Sequence, residues 1–192
     1  VSDERMARGD APAESAPAAP GAPSADATAE LIAELTRRGM RIAVAESLTG
    51  GLVAAELTRI PGASLAVSGG IVAYDTRVKQ AMLGVPGDLL AAEGAVHPEV
   101  ARRMADGARR ALAVGGRPAD LGVATTGVAG PDPQDGRPVG TVYVGVADAA
   151  GSEAIELRLG GDRDEIRRAT VRAAVDAALE RLREGAGAGE RG

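Results

Sequence analysis

Lys79 is the single lysine among 22 lysines and arginines. Arginine stays protonated at physiological pH, whereas a lysine can accept a proton once its pKa falls. A chain that uses arginine at every other cationic side chain therefore singles out Lys79 as its strong base. Tyr74 lies just upstream, and it is one of two tyrosines in a chain without phenylalanine or tryptophan. The string Tyr74-Asp75-Thr76-Arg77-Val78-Lys79 reads as a strand end, a helix cap and a first helical turn. The positive end of a helix disfavours an ammonium there, and burial would add to that. Both effects lower the pKa toward that of a general base. The Tyr74 hydroxyl is placed to relay a proton or to orient the amine. A surface lysine beside a core-edge tyrosine would show the same spacing.

Cleaving an amide or ester needs a nucleophile and a group that takes its proton. The chain has no cysteine and one histidine, His97, so thiol catalysis, zinc thiolate sites and a histidine-based metal cage are not expected. Serine paired with lysine is the remaining route. The hydroxyls on offer are Ser47, Ser64, Ser68 and Thr126. Ser64 follows the tight turn Pro61-Gly62-Ala63, but spacing alone does not choose among the four. His97 precedes Pro98 at an expected helix start and reads as a cap.

Three loops have the composition of anion sites. Glu46-Ser47-Leu48-Thr49-Gly50-Gly51 joins an apolar strand to a helix, where free N–H groups and the helix dipole favour a phosphate. It is not a P-loop, because no Gly-Lys-Ser/Thr follows. Thr126-Gly127-Val128-Ala129-Gly130-Pro131-Asp132 follows a buried strand, at the end where open α/β sheets bind ligands. Gly160-Gly161-Asp162-Arg163-Asp164-Glu165 opens the last helix, and the Arg163 fork suits a phosphate or carboxylate. Each has a plainer reading: a capped helix, a turn, a solvated charge cluster.

The surrounding elements follow from pattern. Helices are expected from Asp26 or Thr28 to Gly39, from Leu52 to Arg59, from Asp75 or Thr76 to Gly84, from His97 to about Val114 and from Arg163 to Arg183. Strands are expected over Met40–Ala45, Gly70–Tyr74 and Asp120–Thr126, with a hairpin of Val139–Asp148 and Glu153–Leu159. Strands alternating with helices, plus a hairpin, imply an α/β fold: a three-layer α/β/α sandwich with a mixed sheet. Residues 1–25 are rich in Ala, Pro and Ser and read as a disordered leader, 26–184 as one domain and 185–192 as a disordered tail.

Composition narrows the function classes. Hydrophobic residues make up 45% of the 192, enough for a core of Ala, Val, Leu and Ile. Net charge is −5, and no run of Lys or Arg dominates, which argues against a nucleic-acid partner. The scarcity of aromatics removes the stacking platforms of single-strand binders. No apolar run reaches the ~18 residues of a membrane span, and no signal-peptide core is present. A soluble cytoplasmic protein without cofactor or metal is expected.

In chain order, Ala45-Glu46-Ser47-Leu48-Thr49-Gly50-Gly51, Pro61-Gly62-Ala63-Ser64, Tyr74-Asp75-Thr76-Arg77-Val78-Lys79, Gly94-Ala95-Val96, Thr126-Gly127-Val128-Ala129-Gly130-Pro131, Pro138-Val139-Gly140-Thr141-Val142-Tyr143 and Gly161-Asp162-Arg163 resemble motifs of the CinA C-terminal domain family. Any one motif is weak; seven in order over the folded region are specific. The resemblance implies a nicotinamide-nucleotide amidase, which deamidates nicotinamide mononucleotide to nicotinic acid mononucleotide and ammonia in pyridine-nucleotide salvage. It implies Ser64 as the catalytic serine, with Tyr74 and Lys79 completing the catalytic set. It associates Thr126 and Arg163 with substrate contact, and it implies a homodimer. Leu48 stands where many members carry Cys, and His97 where a small polar residue is common. Many relatives also carry an N-terminal molybdopterin-binding-like domain; ahead of the folded region this sequence shows only the short leader, so that domain's activity is expected to be absent. The competing readings are a non-catalytic nucleotide-binding or interaction module linked to competence or DNA repair, and an amidase for another small amide.

Overall fold

A computed structural model describes residues 26–189, with side chains through 185. The expected leader, 1–25, and residues 190–192 lie outside the described residues. Helix α1 (Ala27–Arg38) starts where the Asp26 carboxylate accepts the N–H groups of Thr28 and Ala29, at 3.1 and 3.2 Å. It stops at Gly39, whose φ of +63° is the usual left-handed C-cap. Strand β1 (Ile42–Glu46) follows, buried along its whole length. Then come α2 (Leu52–Thr58), a 3-10 turn (Ala63–Leu65), β2 (Val67–Val72), α3 (Thr76–Leu83), α4 (Gly87–Glu93) and α5 (Pro98–Ala111). The order closes with β3 (Leu121–Gly127), β4 (Thr141–Ala147), β5 (Ser152–Arg158) and α6 (Arg163–Gly189).

The expected strand over Gly70–Tyr74 forms earlier, at Val67–Val72, leaving Tyr74 beyond its end. Helix α4 has no counterpart among the expected elements; one turn-rich apolar stretch carries too little periodicity to declare itself. Helix α6 runs to Gly189, past Arg183 and into the stretch read as a tail. His97 does cap α5, its Nδ1 accepting the Glu99 N–H at 3.2 Å.

The five strands lie in the order β2-β1-β3-β4-β5. β1 pairs in parallel with β2 and β3, while β4 runs antiparallel to β3 and β5 to β4. The alternation of β1 sorts the layers. Ile42 and Val44 pack with Leu31, Leu35 and Val175 of α1 and α6. Ala43 and Ala45 pack with Val100, Met104 and Ala105 of α5. The α5 face is made of small residues because the helix sits against the strand backbones. A Cβ on Gly122 would lie 2.1 Å from the Ala105 carbonyl oxygen, and one on Gly145 2.2 Å from that of Ala101. Among the described residues Tyr143 is the one buried aromatic, and the core is filled largely by bringing backbones together. The chain leaves β1 for α2 on one face and leaves β2 for α3, α4 and α5 on the other. The carboxyl ends of β1 and β3 therefore border a crevice of the kind where α/β sheets bind ligands.

Candidate active site

That crevice holds a cavity of about 130 Å³. Its walls come from the loop after β1 (Ser47, Leu48), the start of α3 (Thr76, Lys79), the segment before α5 (Ala95, Val96), the end of β3 and its loop (Thr126 to Gly130), and Tyr74, Asp132, Gln134 and Arg163. At its base, Lys79 Nζ lies 3.0 Å from Ser47 Oγ and donates to the Ala73 carbonyl at 2.7 Å. Lys79 is 1% exposed. Burial pushes its pKa down from 10.5 to about 8, against the opposing pull of the nearby Asp75 carboxylate. Asp75, beside Arg77 and capping α3, is itself held down at about 2.

Ser64 does not join this group. It is exposed in the 3-10 turn that precedes β2. Tyr74 and Lys79 follow β2, and at ~3.3 Å per residue the strand spans roughly 20 Å. Parallel pairing matches Ile42 with Val67 and Glu46 with Val72, so the residue after β1, Ser47, shares an edge with the residues after β2. Ser64 lies at the opposite edge. Ser68, in β2, is also away from the cavity lining, and its hydroxyl has no partner among the described residues.

Tyr74 lines the mouth and is 61% exposed. Its hydroxyl accepts from Arg163 Nη2 at 3.0 Å, and Arg163 Nη1 donates to the Gly130 carbonyl at 2.7 Å. The partners that orient Lys79 are Ser47 and the Ala73 carbonyl, not this hydroxyl. Thr126 is buried and donates to the Ala95 carbonyl at 2.7 Å, tying the end of β3 to the approach to α5. Gly127 permits close strand contact there: a Cβ would lie 2.7 Å from the Thr141 carbonyl oxygen.

The expected anion site at the start of α2 is already filled. Glu46, 1% exposed, accepts the Gly51 and Val53 N–H groups at 3.0 Å on one carboxylate oxygen and the Ala54 N–H at 2.9 Å on the other. The Thr49 hydroxyl is buried against that of Thr125 at 2.7 Å. Thr49, Gly50 and Gly51 consequently stay out of the cavity lining, and their role is to shape the Ser47 loop. The start of α6 is closed as well. Asp162 accepts the Glu165 N–H, and Glu165 accepts the Asp162 N–H, each at 2.8 Å, a reciprocal cap. Arg163 is left as the arginine lining the cavity.

Two side chains that the sequence assigned no role of their own matter here. Glu46 had one signal, a carboxylate ending an otherwise apolar strand. Arg167 lies one helical turn after Arg163; it donates from Nε to the Leu48 carbonyl at 3.0 Å and from Nη2 to the Thr49 carbonyl at 3.1 Å. A larger hollow of about 450 Å³ lies between α1, α2 and α6, floored by Leu52, Val171 and Val175; neither a serine nor the lysine lines it.

The model of the CinA C-terminal domain matches residues 24–182. The chain belongs to the CinA C-terminal domain family. A CinA-like protein of Frankia casuarinae is 48% identical over 142 residues, covering 74% of this chain and 32% of its own length. One from an Anaeromyxobacter species is 47% identical over 141 residues, 72% of this chain and 33% of that protein. The chain thus spans about a third of the length of these curated relatives. Among solved structures, a competence/damage inducible protein of Agrobacterium tumefaciens superposes with a TM-score of 0.74 at 38% identity, covering 82% of this chain and 96% of that one. A CinA superfamily protein of Klebsiella pneumoniae gives 0.77 at 30% identity, covering 83% and 97%. The three-layer mixed-sheet architecture is therefore that of the CinA superfamily. Among the described residues, no helix is long and apolar enough to cross a membrane.

Proposed function

We propose that this CinA-family domain is an amidohydrolase that deamidates nicotinamide mononucleotide, with Ser47 as nucleophile and Lys79 as base. The observation that carries the reading is the buried Lys79 amine, held near pKa 8, at 3.0 Å from a serine hydroxyl in a cavity. Neutral Lys79 takes the proton of Ser47, and Oγ adds to the carboxamide carbon. The backbone N–H beside the nucleophile, that of Leu48, donates to no group among the described residues; it is the donor for the oxyanion, an interaction worth ~2.7–4 kcal/mol. The Lys79 ammonium returns its proton to the amide nitrogen, the C–N bond breaks and ammonia leaves. Water, deprotonated by Lys79, then hydrolyses the acyl-enzyme to nicotinic acid mononucleotide and free Ser47.

The cavity is smaller than the roughly 300–1,000 Å³ of pockets that enclose a drug-sized ligand. It encloses the carboxamide end, and the nucleotide phosphate reaches the mouth, where Arg163 exchanges its contacts with Tyr74 and Gly130 for the anion. Asp132 in the wall offers a negative charge to the pyridinium ring.

Ammonia release from nicotinamide mononucleotide tests the reading. Ser47→Ala is expected to abolish it and Ser64→Ala to leave it within about twofold, because an exposed serine on the far edge touches none of the reacting groups. Full activity in Ser47→Ala overturns the assignment.

A further inference from the structure

We propose that Arg167 is a positioning residue whose charge is carried through two peptide units to the Leu48 N–H, making that group an effective oxyanion donor. This rests on the amidase reading above. Arg167 Nη2 donates to the Thr49 carbonyl at 3.1 Å. The same peptide unit ends in the Gly50 N–H, which donates to the Ser47 carbonyl at 3.1 Å. That second unit ends in the Leu48 N–H, immediately beside the nucleophile. Successive hydrogen bonds polarise one another, more so away from bulk water. A guanidinium at the head of this chain therefore strengthens the donor at its tail.

The geometry holding the chain is built from three sides. Arg167 Nε donates to the Leu48 carbonyl at 3.0 Å, turning that oxygen toward α6. Glu46 grips Gly51, Val53 and Ala54 from the strand side. The Thr49–Thr125 hydroxyl pair closes the third. Leu48 and Thr49 are the central residues of the turn that brings the Gly50 N–H to the Ser47 carbonyl. Gly50, at φ +59°, then redirects the chain toward α2, and a Cβ there would lie 3.5 Å from Arg167 Nη2. Asp164 meets the remaining Nη1 at 3.3 Å, aiming the fork at the loop. Arg163 and Arg167 are one turn apart on α6, so the helix that meets the substrate at the mouth also fixes the nucleophile loop.

The test uses the full chain with Arg167→Gln and Arg167→Lys, and counts competent sites by mass after labelling Ser47 with a fluorophosphonate. The turnover number per labelled site should fall about tenfold to a hundredfold in Arg167→Gln, less than the ~10²–10³ lost with a direct donor. KM should stay within about twofold, and the rise of rate with pH should keep its midpoint. Arg167→Lys, which keeps the charge but loses the planar fork, should recover part of the loss, and it serves alone if Arg167→Gln does not fold. A loss of labelled sites with full turnover at those remaining would overturn the proposal, since Arg167 would then only hold the fold. Wild-type protein that neither releases ammonia nor labels at Ser47 would instead overturn the amidase reading, and the role of Arg167 with it.

Discussion

Lys79 Nζ and Ser47 Oγ stand 3.0 Å apart although 32 residues separate them in the chain. One follows β1, the other follows β2, and parallel pairing of the two strands brings both to one edge of the sheet. Because burial sets the Lys79 pKa at about 8, kcat/KM should rise with pH and level off above that value as the amine becomes neutral. Lys79→Arg should be inactive at every pH, because a guanidinium does not become neutral. A flat profile from pH 7 to 9 in the wild type would rule out lysine as the base.

The same group makes stability depend on pH. The folded pKa lies below the unfolded value of 10.5, so between about 8 and 10.5 the unfolded chain binds a proton that the folded chain lacks. Stability then increases with pH across that window, by about 3 kcal/mol in all. Urea midpoints at pH 7.5 and 10, compared between the wild type and Lys79→Met, measure this. The variant should lack the gain, and equal slopes in both proteins would contradict it.

Glu46 is the acceptor for three N–H groups at the start of α2. Glu46→Gln turns an amide NH₂ toward those donors, leaving buried N–H groups unpaired at a cost of about 1–3 kcal/mol. Chemical denaturation should show that loss, together with reduced turnover, because the Ser47 loop is anchored there. Unchanged stability would mean that α2 is capped in another way.

Arg163 is the phosphate's partner in the proposed complex. A hydrogen bond to a charged group is worth about 1.5–3 kcal/mol, so Arg163→Gln should raise KM for the mononucleotide about tenfold to a hundredfold. Nicotinamide riboside, which has no phosphate, should be turned over equally by variant and wild type. Equal losses with both compounds would place Arg163 elsewhere in the mechanism.

What the sequence by itself determined is local. Asp26, Asp75 and His97 cap the helices they precede, and Gly39 and Gly84 end the ones they follow, because caps are read from one or two side chains next to their own backbone. The three-layer architecture was legible from the alternation of strands and helices. Lys79 stood out as the candidate base because composition leaves no second lysine. The tertiary structure decided which serine meets that lysine. Strand direction and pairing place Ser47 and Lys79 at one edge and Ser64 at the other, a relation between segments that no local pattern contains. Direction did offer a hint: the segments after two parallel strands share an edge, and Ser64 precedes its strand. The structure alone also decided that Glu46 occupies the helix start expected to hold a phosphate, because a carboxylate's partners depend on where its strand ends relative to the next helix. Lys79 carries a lowered pKa because packing buries the amine.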